Sequence, residues 1–232
     1  CYSQRAEWAD VKPIAQPEGL CQITYTPVFR DIMSYFRAVL DSNELSERAL
    51  HLTKDVITIN SANYSAWVHR RKVLRALNMD LQAELSGFSR FHCIDSPKNY
   101  QVWHHRRSLL ESIDTPDLSA ELALTQQLIE LDHKNYHAWL HRQWVVEAHC
   151  LPDGELDFTA QLLAADVRNN SAWSHRQLAV SLLRAPPLPA EVDFAVSAIQ
   201  QAPQNEAAWS YLAWVTRQAG YTFEQATDLS RR

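Results

Sequence analysis

The sequence predicts an all-α fold, a right-handed superhelical crescent built from antiparallel helical hairpins. Three observations carry that expectation. One phrase returns five times: Asn63-Tyr-Ser-Ala-Trp67-Val-His69-Arg70, Asn99-Tyr-Gln-Val-Trp103-His-His105-Arg106, Asn135-Tyr-His-Ala-Trp139-Leu-His141-Arg142, Asn169-Asn-Ser-Ala-Trp173-Ser-His175-Arg176 and Asn205-Glu-Ala-Ala-Trp209. Its tryptophans are 36, 36, 34 and 36 residues apart, the period of stacked helical hairpins. Apolar residues between the phrases recur at three- and four-residue steps, and 46% hydrophobic content with only 4 Gly is ample for a helical core. A lone hairpin cannot bury its own apolar stripe, so the copies must stack.

The elements follow in order. Residues 1–30 are rich in Pro, Trp and Tyr and lack helical periodicity, which reads as an extended arm; residues 31–232 read as the helical-hairpin repeat domain. Phe29, Ile32, Met33, Phe36, Val39 and Leu40 stripe an amphipathic helix that starts the array. Leu45, Leu52, Val56 and Ile59 mark a first hairpin helix, and Trp67, Val73, Leu74 and Leu77 a second one after the Asn60-Ser-Ala turn. The alternation recurs with Leu118 to Leu131 before Trp139 and Leu156 to Val167 before Trp173. Ala185-Pro-Pro-Leu-Pro189 is a rigid connector into the fifth copy. Gly87 to Cys93 is less regularly apolar than a buried hairpin helix requires, and Tyr221 to Arg232 reads as a polar, helix-like segment.

Each position of the phrase has a physical reading. Asn is a favoured helix N-cap because its side-chain oxygen accepts an orphan backbone N–H. Trp, one turn inside, fills the gap between hairpins and needs one partner for its indole N–H. His and Arg read as inter-repeat hydrogen-bonding groups, with Arg paired to an acid of the preceding hairpin. His133, His137 and His141 stand at metal-like spacing. Asn135 as a cap would start the helix after His133, however, and His141 has copies at 69, 105 and 175 that cannot all be ligands, so no metal site is expected in this chain. His104 and His105 point apart on a helix.

Composition narrows the function. A net charge of -5 disfavours a nucleic-acid binder. Cys1, Cys21, Cys93 and Cys150 are scattered without a Cys-x-x-Cys pair, which fits reduced thiols in a cytoplasmic protein. Neither a transmembrane span nor a signal peptide is read. The informative variation lies beside the capping Asn. Lys98, Lys134 and Arg168 precede it, and Tyr64, Tyr100 and Tyr136 follow it. Equivalent positions of stacked repeats align, so these side chains should form a cationic, phenolic ridge at helix N-termini, suited to a phosphate or diphosphate.

Several stretches resemble one family. Trp8-Ala-Asp10-Val-Lys-Pro13, Tyr35-Phe-Arg37-Ala-Val-Leu40, Ser46-Glu-Arg48-Ala, Pro97-Lys-Asn-Tyr-Gln-Val-Trp-His-His-Arg-Arg107, Lys134-Asn-Tyr-His-Ala-Trp139 and Asp166-Val-Arg-Asn-Asn-Ser171 closely resemble the α subunit shared by protein farnesyltransferase and protein geranylgeranyltransferase type I. The resemblance implies a heterodimer with a β subunit that holds a catalytic zinc. It also implies a farnesyl or geranylgeranyl diphosphate donor, magnesium for farnesyl transfer, and protein substrates ending in Cys-a-a-X. Residue by residue, it implies that Lys98 stabilises the departing diphosphate and that Tyr136 approaches the same group. Tyr100, Asn135 and His137 would line that cleft; Gln101 and Tyr64 would meet the substrate peptide. A non-catalytic, tetratricopeptide-like peptide scaffold explains the period equally well, but not the Lys and Tyr clustered at helix starts of the middle copies. The α subunit of the Rab-type enzyme fits the Lys-Asn-Tyr phrases less well. Tyr211-Leu212 replace His-Arg in the fifth copy.

Overall fold

The structure, a computed structural model, describes residues 1–17, 19–20, 23–222 and 225. Among these the regular elements are all helical. The chain divides into two compact units, Cys1–Asp117 and Leu118–Arg232. The first holds α1 (Pro27–Ser42), α2 (Glu47–Ile59), α3 (Tyr64–Ala76), α4 (Leu81–Glu84), α5 (Arg90–Asp95) and α6 (Tyr100–Leu110). The second holds α7 (Leu118–Leu131), α8 (Tyr136–Ala148), α9 (Glu155–Ala165), α10 (Asn170–Leu182), α11 (Leu188–Gln201) and α12 (Glu206–Gln218). The segment after Tyr221 that the sequence suggested as helical falls almost wholly outside the described residues, as does Cys21.

The opening segment is more than extended chain. It forms two short 3-10 turns, Tyr2–Gln4 and Ala6–Trp8, and buries Tyr2 and Trp8. These rings pack with each other and with Tyr35 at centroid distances of 5.2 to 5.9 Å, and the Tyr2 hydroxyl donates to Asp55 at 2.6 Å. Helix α1 starts at Pro27, where Thr26 caps it and Pro occupies the tolerated first turn. That is four residues before the boundary read from sequence. The proline connector is likewise shorter, because α11 already begins at Leu188.

The helices are joined by a repeated buried cluster centred on one glutamate. Arg142 of α8 donates Nε and Nη2 to Glu155 of α9 at 2.8 and 2.7 Å, and His175 of α10 bonds the same carboxylate at 2.5 Å. Arg176 grips Glu191 at 2.7 Å through both nitrogens, and there Tyr211 donates its hydroxyl at 2.6 Å in place of histidine. In the first unit Arg70 holds Glu84 twice at 2.7 Å while His105 approaches at 3.1 Å. The guanidinium also lies over a phenylalanine of the next hairpin, 3.8 Å for Arg70 on Phe88 and for Arg142 on Phe158, 4.0 Å for Arg176 on Phe194. Inter-repeat bonding by His and Arg is therefore observed, but the acid sits on the following hairpin, not the preceding one.

The irregular stretch Gly87 to Cys93 has a specific cause. Between α4 and α5 the helix widens into a π turn, Leu85–Ser89. In other hairpins a carbonyl and a hydroxyl three residues apart receive the arginine's Nη1: Leu50 and Thr53, Leu122 and Thr125, Leu156 and Thr159. Arg106 instead finds them at Leu85 and Ser89, four apart. One inserted residue is absorbed by the π turn, and both anchors stay in register.

Candidate functional site

The residues singled out by the sequence lie on the loops that open the second helix of each hairpin, and those loops share one construction. The capping asparagine's backbone N–H closes a turn on the carbonyl three residues earlier in all five copies, at 2.9 to 3.0 Å. Asn63, Asn99, Asn135 and Asn169 also accept through the side chain from N–H groups of the first helical turn. Each tryptophan then reaches back six residues: Nε1 donates to the carbonyls of Ser61, Pro97, His133, Val167 and Pro203 at 2.7 to 2.9 Å. The indole partner required of every Trp is thus the rim loop itself. Four of these rings are buried, whereas Trp209 stays 38% exposed.

This scaffold presents two layers of side chains. Tyr64, Tyr100 and Tyr136, each first in its helix, are 64–68% exposed, and Lys98, Lys134 and Arg168 are exposed one residue before the cap. Beneath them Asn135 is buried in its capping role and His137 is half-buried. Gln101 is only 8% exposed, which leaves little of its side chain on the surface.

In the first unit Lys98, Tyr100 and Gln101 share one loop-to-helix junction. The neighbouring junction carrying Tyr64 is tied to it, because Asn99 Nδ2 donates to the Ser61 carbonyl at 2.7 Å. In the second unit Asn135, Tyr136 and His137 share a junction, and a groove of about 350 Å³ bordered by Lys134, Tyr136, Gln143, Ser171 and Ser174 opens there. Each of these two junctions offers an ammonium, a phenolic hydroxyl and a helix N-terminus to an anionic ligand. Neither offers a metal ligand set: among the described residues no three His, Cys, Asp or Glu side chains converge on a common point. His133 lies in the loop with its carbonyl engaged by Trp139, and His141 is bonded to Glu121 at 2.6 Å.

Sequence reasoning missed the acids Glu84, Glu155 and Glu191 at the joints. Their signal was a carboxylate 13 to 15 residues after each arginine.

The protein prenyltransferase alpha subunit repeat matches residues 46–77, 92–113, 118–149, 152–183 and 188–219. These five matches cover more than half of the chain. The chain belongs to the protein prenyltransferase alpha subunit repeat family. The second match starts at residue 92, just past the π turn. Among similar proteins, the protein farnesyltransferase/geranylgeranyltransferase type-1 subunit alpha of Dictyostelium discoideum is 50% identical over 82 residues, 34% of this chain and 26% of that one. The protein of the same name from Arabidopsis thaliana is 48% identical over 91 residues, 38% of this chain and 28% of that one. The matched stretches therefore span about a quarter of the length of these curated relatives. Among solved structures, Candida albicans protein geranylgeranyltransferase-I complexed with GGPP superposes with a TM-score of 0.85 at 28% identity, covering 97% of this chain and 80% of that one.

Proposed function

We propose that this chain is the α subunit of a heterodimeric protein prenyltransferase that transfers a farnesyl or geranylgeranyl group from its diphosphate to the cysteine of a C-terminal Cys-a-a-X motif. One observation carries this reading: the exposed Lys98 and Tyr100 flank a doubly anchored cap in a chain that matches a GGPP-bound prenyltransferase along nearly its full length. In the reaction the substrate's cysteine thiolate attacks C1 of the isoprenyl diphosphate. A C–S bond forms, the C1–O bond breaks, and its electron pair departs on the diphosphate. The Lys98 ammonium meets the charge that grows on that leaving group, an interaction stronger in the transition state than before it. Tyr136 offers a hydroxyl donor to the same diphosphate, and Tyr100, Asn135 and His137 line the cleft. Tyr64 and Gln101 meet the substrate peptide; the slight exposure of Gln101 restricts it to a contact at the surface edge of its side chain.

Zinc would be held by the β subunit, where it would supply the cysteine as thiolate, and magnesium bound with the farnesyl donor would neutralise part of the diphosphate charge. No helix among the described residues is long and apolar enough to cross a membrane. Co-expression with a β subunit tests the proposal. The purified pair should transfer labelled isoprenoid to a Cys-a-a-X peptide and not to its Ser-a-a-X counterpart. A stable pair that binds the peptide and transfers nothing would favour a scaffold instead.

A further inference from the structure

Lys98 stands between two tethered neighbours. On one side the Pro97 carbonyl accepts the indole N–H of Trp103 at 2.9 Å. On the other, Asn99 engages both ends of its carboxamide: Oδ1 accepts from the Gln101 N–H at 3.0 Å and Nδ2 donates to the Ser61 carbonyl at 2.7 Å. That carbonyl is itself anchored, since it also accepts from Trp67 Nε1 at 2.8 Å. The asparagine-to-loop bond is not uniform along the chain. Asn205 makes it to Val167 at 2.7 Å, but the residue before Asn205 is Gln204. At the fourth copy Asn169 Nδ2 is buried without a hydrogen-bond partner.

We propose that Asn99 and Trp103 are positioning residues for Lys98: together they fix the backbone on either side of it and so set where its ammonium can reach. This rests on the leaving-group role assigned to Lys98 above. Lysine has a flexible stem whose origin is set by its Cα, which these backbone bonds hold; a displacement of about 1 Å in a catalytic group can cost about a hundredfold in rate. The several rotatable bonds between that anchor and the nitrogen let the stem absorb part of the shift, so the loss expected from releasing one tether is smaller, about tenfold.

The test is single-turnover kinetics on the assembled α–β pair, with rates normalised to bound isoprenoid diphosphate. Asn99→Ser keeps a capping oxygen and loses the bond to Ser61; Trp103→Phe keeps a ring and loses the bond to Pro97. Each should slow the chemical step about tenfold while leaving isoprenoid affinity within about twofold. Introducing Asn99→Ser into Lys98→Ala should produce no further slowing, because a tether cannot position a group that is gone. An equal tenfold loss in the Lys98→Ala background would show that Asn99 acts independently and would overturn the proposal. So would full rates in both single variants, with or without a lower melting temperature, beside a slow Lys98→Ala. If Lys98→Ala itself runs at full rate, the leaving-group reading fails first and the positioning role fails with it. Two variants touching different bonds keep the test decisive if one does not assemble.

Discussion

Glu155 shows how much one residue does here. Its carboxylate is buried, forked by Arg142 and bonded by His175, and these partners outweigh the burial that would otherwise raise its pKa, so it is held below the ordinary carboxylate value. Glu155→Ala would leave the Arg142 guanidinium buried and unpaired, a loss of about 3–5 kcal/mol. Equilibrium denaturation of the variant checks this, and a loss below about 1 kcal/mol would contradict the joint's importance. At Glu84 the same arrangement gives a pH dependence. Burial, working against its bond to Glu84, holds His105 down at about 4 against an ordinary 6.5. Between those values the unfolded chain takes a proton that the folded chain refuses. This contribution is full above pH 6.5 and lost as pH falls toward 4, by up to ~3 kcal/mol. Burial alone would raise Glu84, but the bonds from His105 and Arg70 prevail and hold it at about 2 instead of 4.5, so its contribution disappears below pH 4.5. The melting temperature should therefore decline from pH 7 to 5, and His105→Gln should flatten that decline. A level wild-type curve over this range would refute the account.

At the scale of elements, the π turn carries the sharpest prediction. Deleting Gly87 should let Leu85–Ser89 relax to ordinary α-helix with the three-residue anchor spacing of the other hairpins. Gly87 has no neighbouring atom within 4 Å of its would-be Cβ, so no side-chain contact is lost. Stability should change by less than about 1 kcal/mol, whereas deleting one residue between Leu156 and Thr159 should cost several, since that segment has no slack. Equal damage from both deletions would contradict this reading. Helix positions were largely legible in the sequence because 3.6-residue periodicity and capping Asn are local signals; α1, α7 and the hairpin built around Trp67 appear where those signals placed them. What was not legible was non-local. The direction of the Arg–Glu joints depends on which hairpin follows in space, and the π turn appeared only as weakened periodicity. The candidate site was legible in its residue types and its placement at helix starts. The tether from Asn99 to Ser61 was not, because a side-chain bond across 38 residues leaves no sequence pattern.

For the whole molecule, repetition explains both stability and function. Buried Glu and Arg, with His or Tyr beside them, hold the joints described in each unit, which frees the rim loops to vary, and the cations and phenols appear where the copies differ. Net acidity of the chain and a local cationic rim are compatible because a rim is sampled at short range, within the ~8–10 Å over which charges act in physiological salt. Under the proposed function the chain acts only with a β subunit, and the joints matter to catalysis through the loops they hold. Lys98 is the residue on which that account depends most. The decisive measurement is the single-turnover rate of isoprenoid transfer by the assembled pair carrying Lys98→Ala. The account predicts a fall of about a hundred- to a thousandfold, the scale for one electrostatic donor, with isoprenoid affinity and melting temperature nearly unchanged. A rate within about threefold of wild type in an intact pair would contradict it.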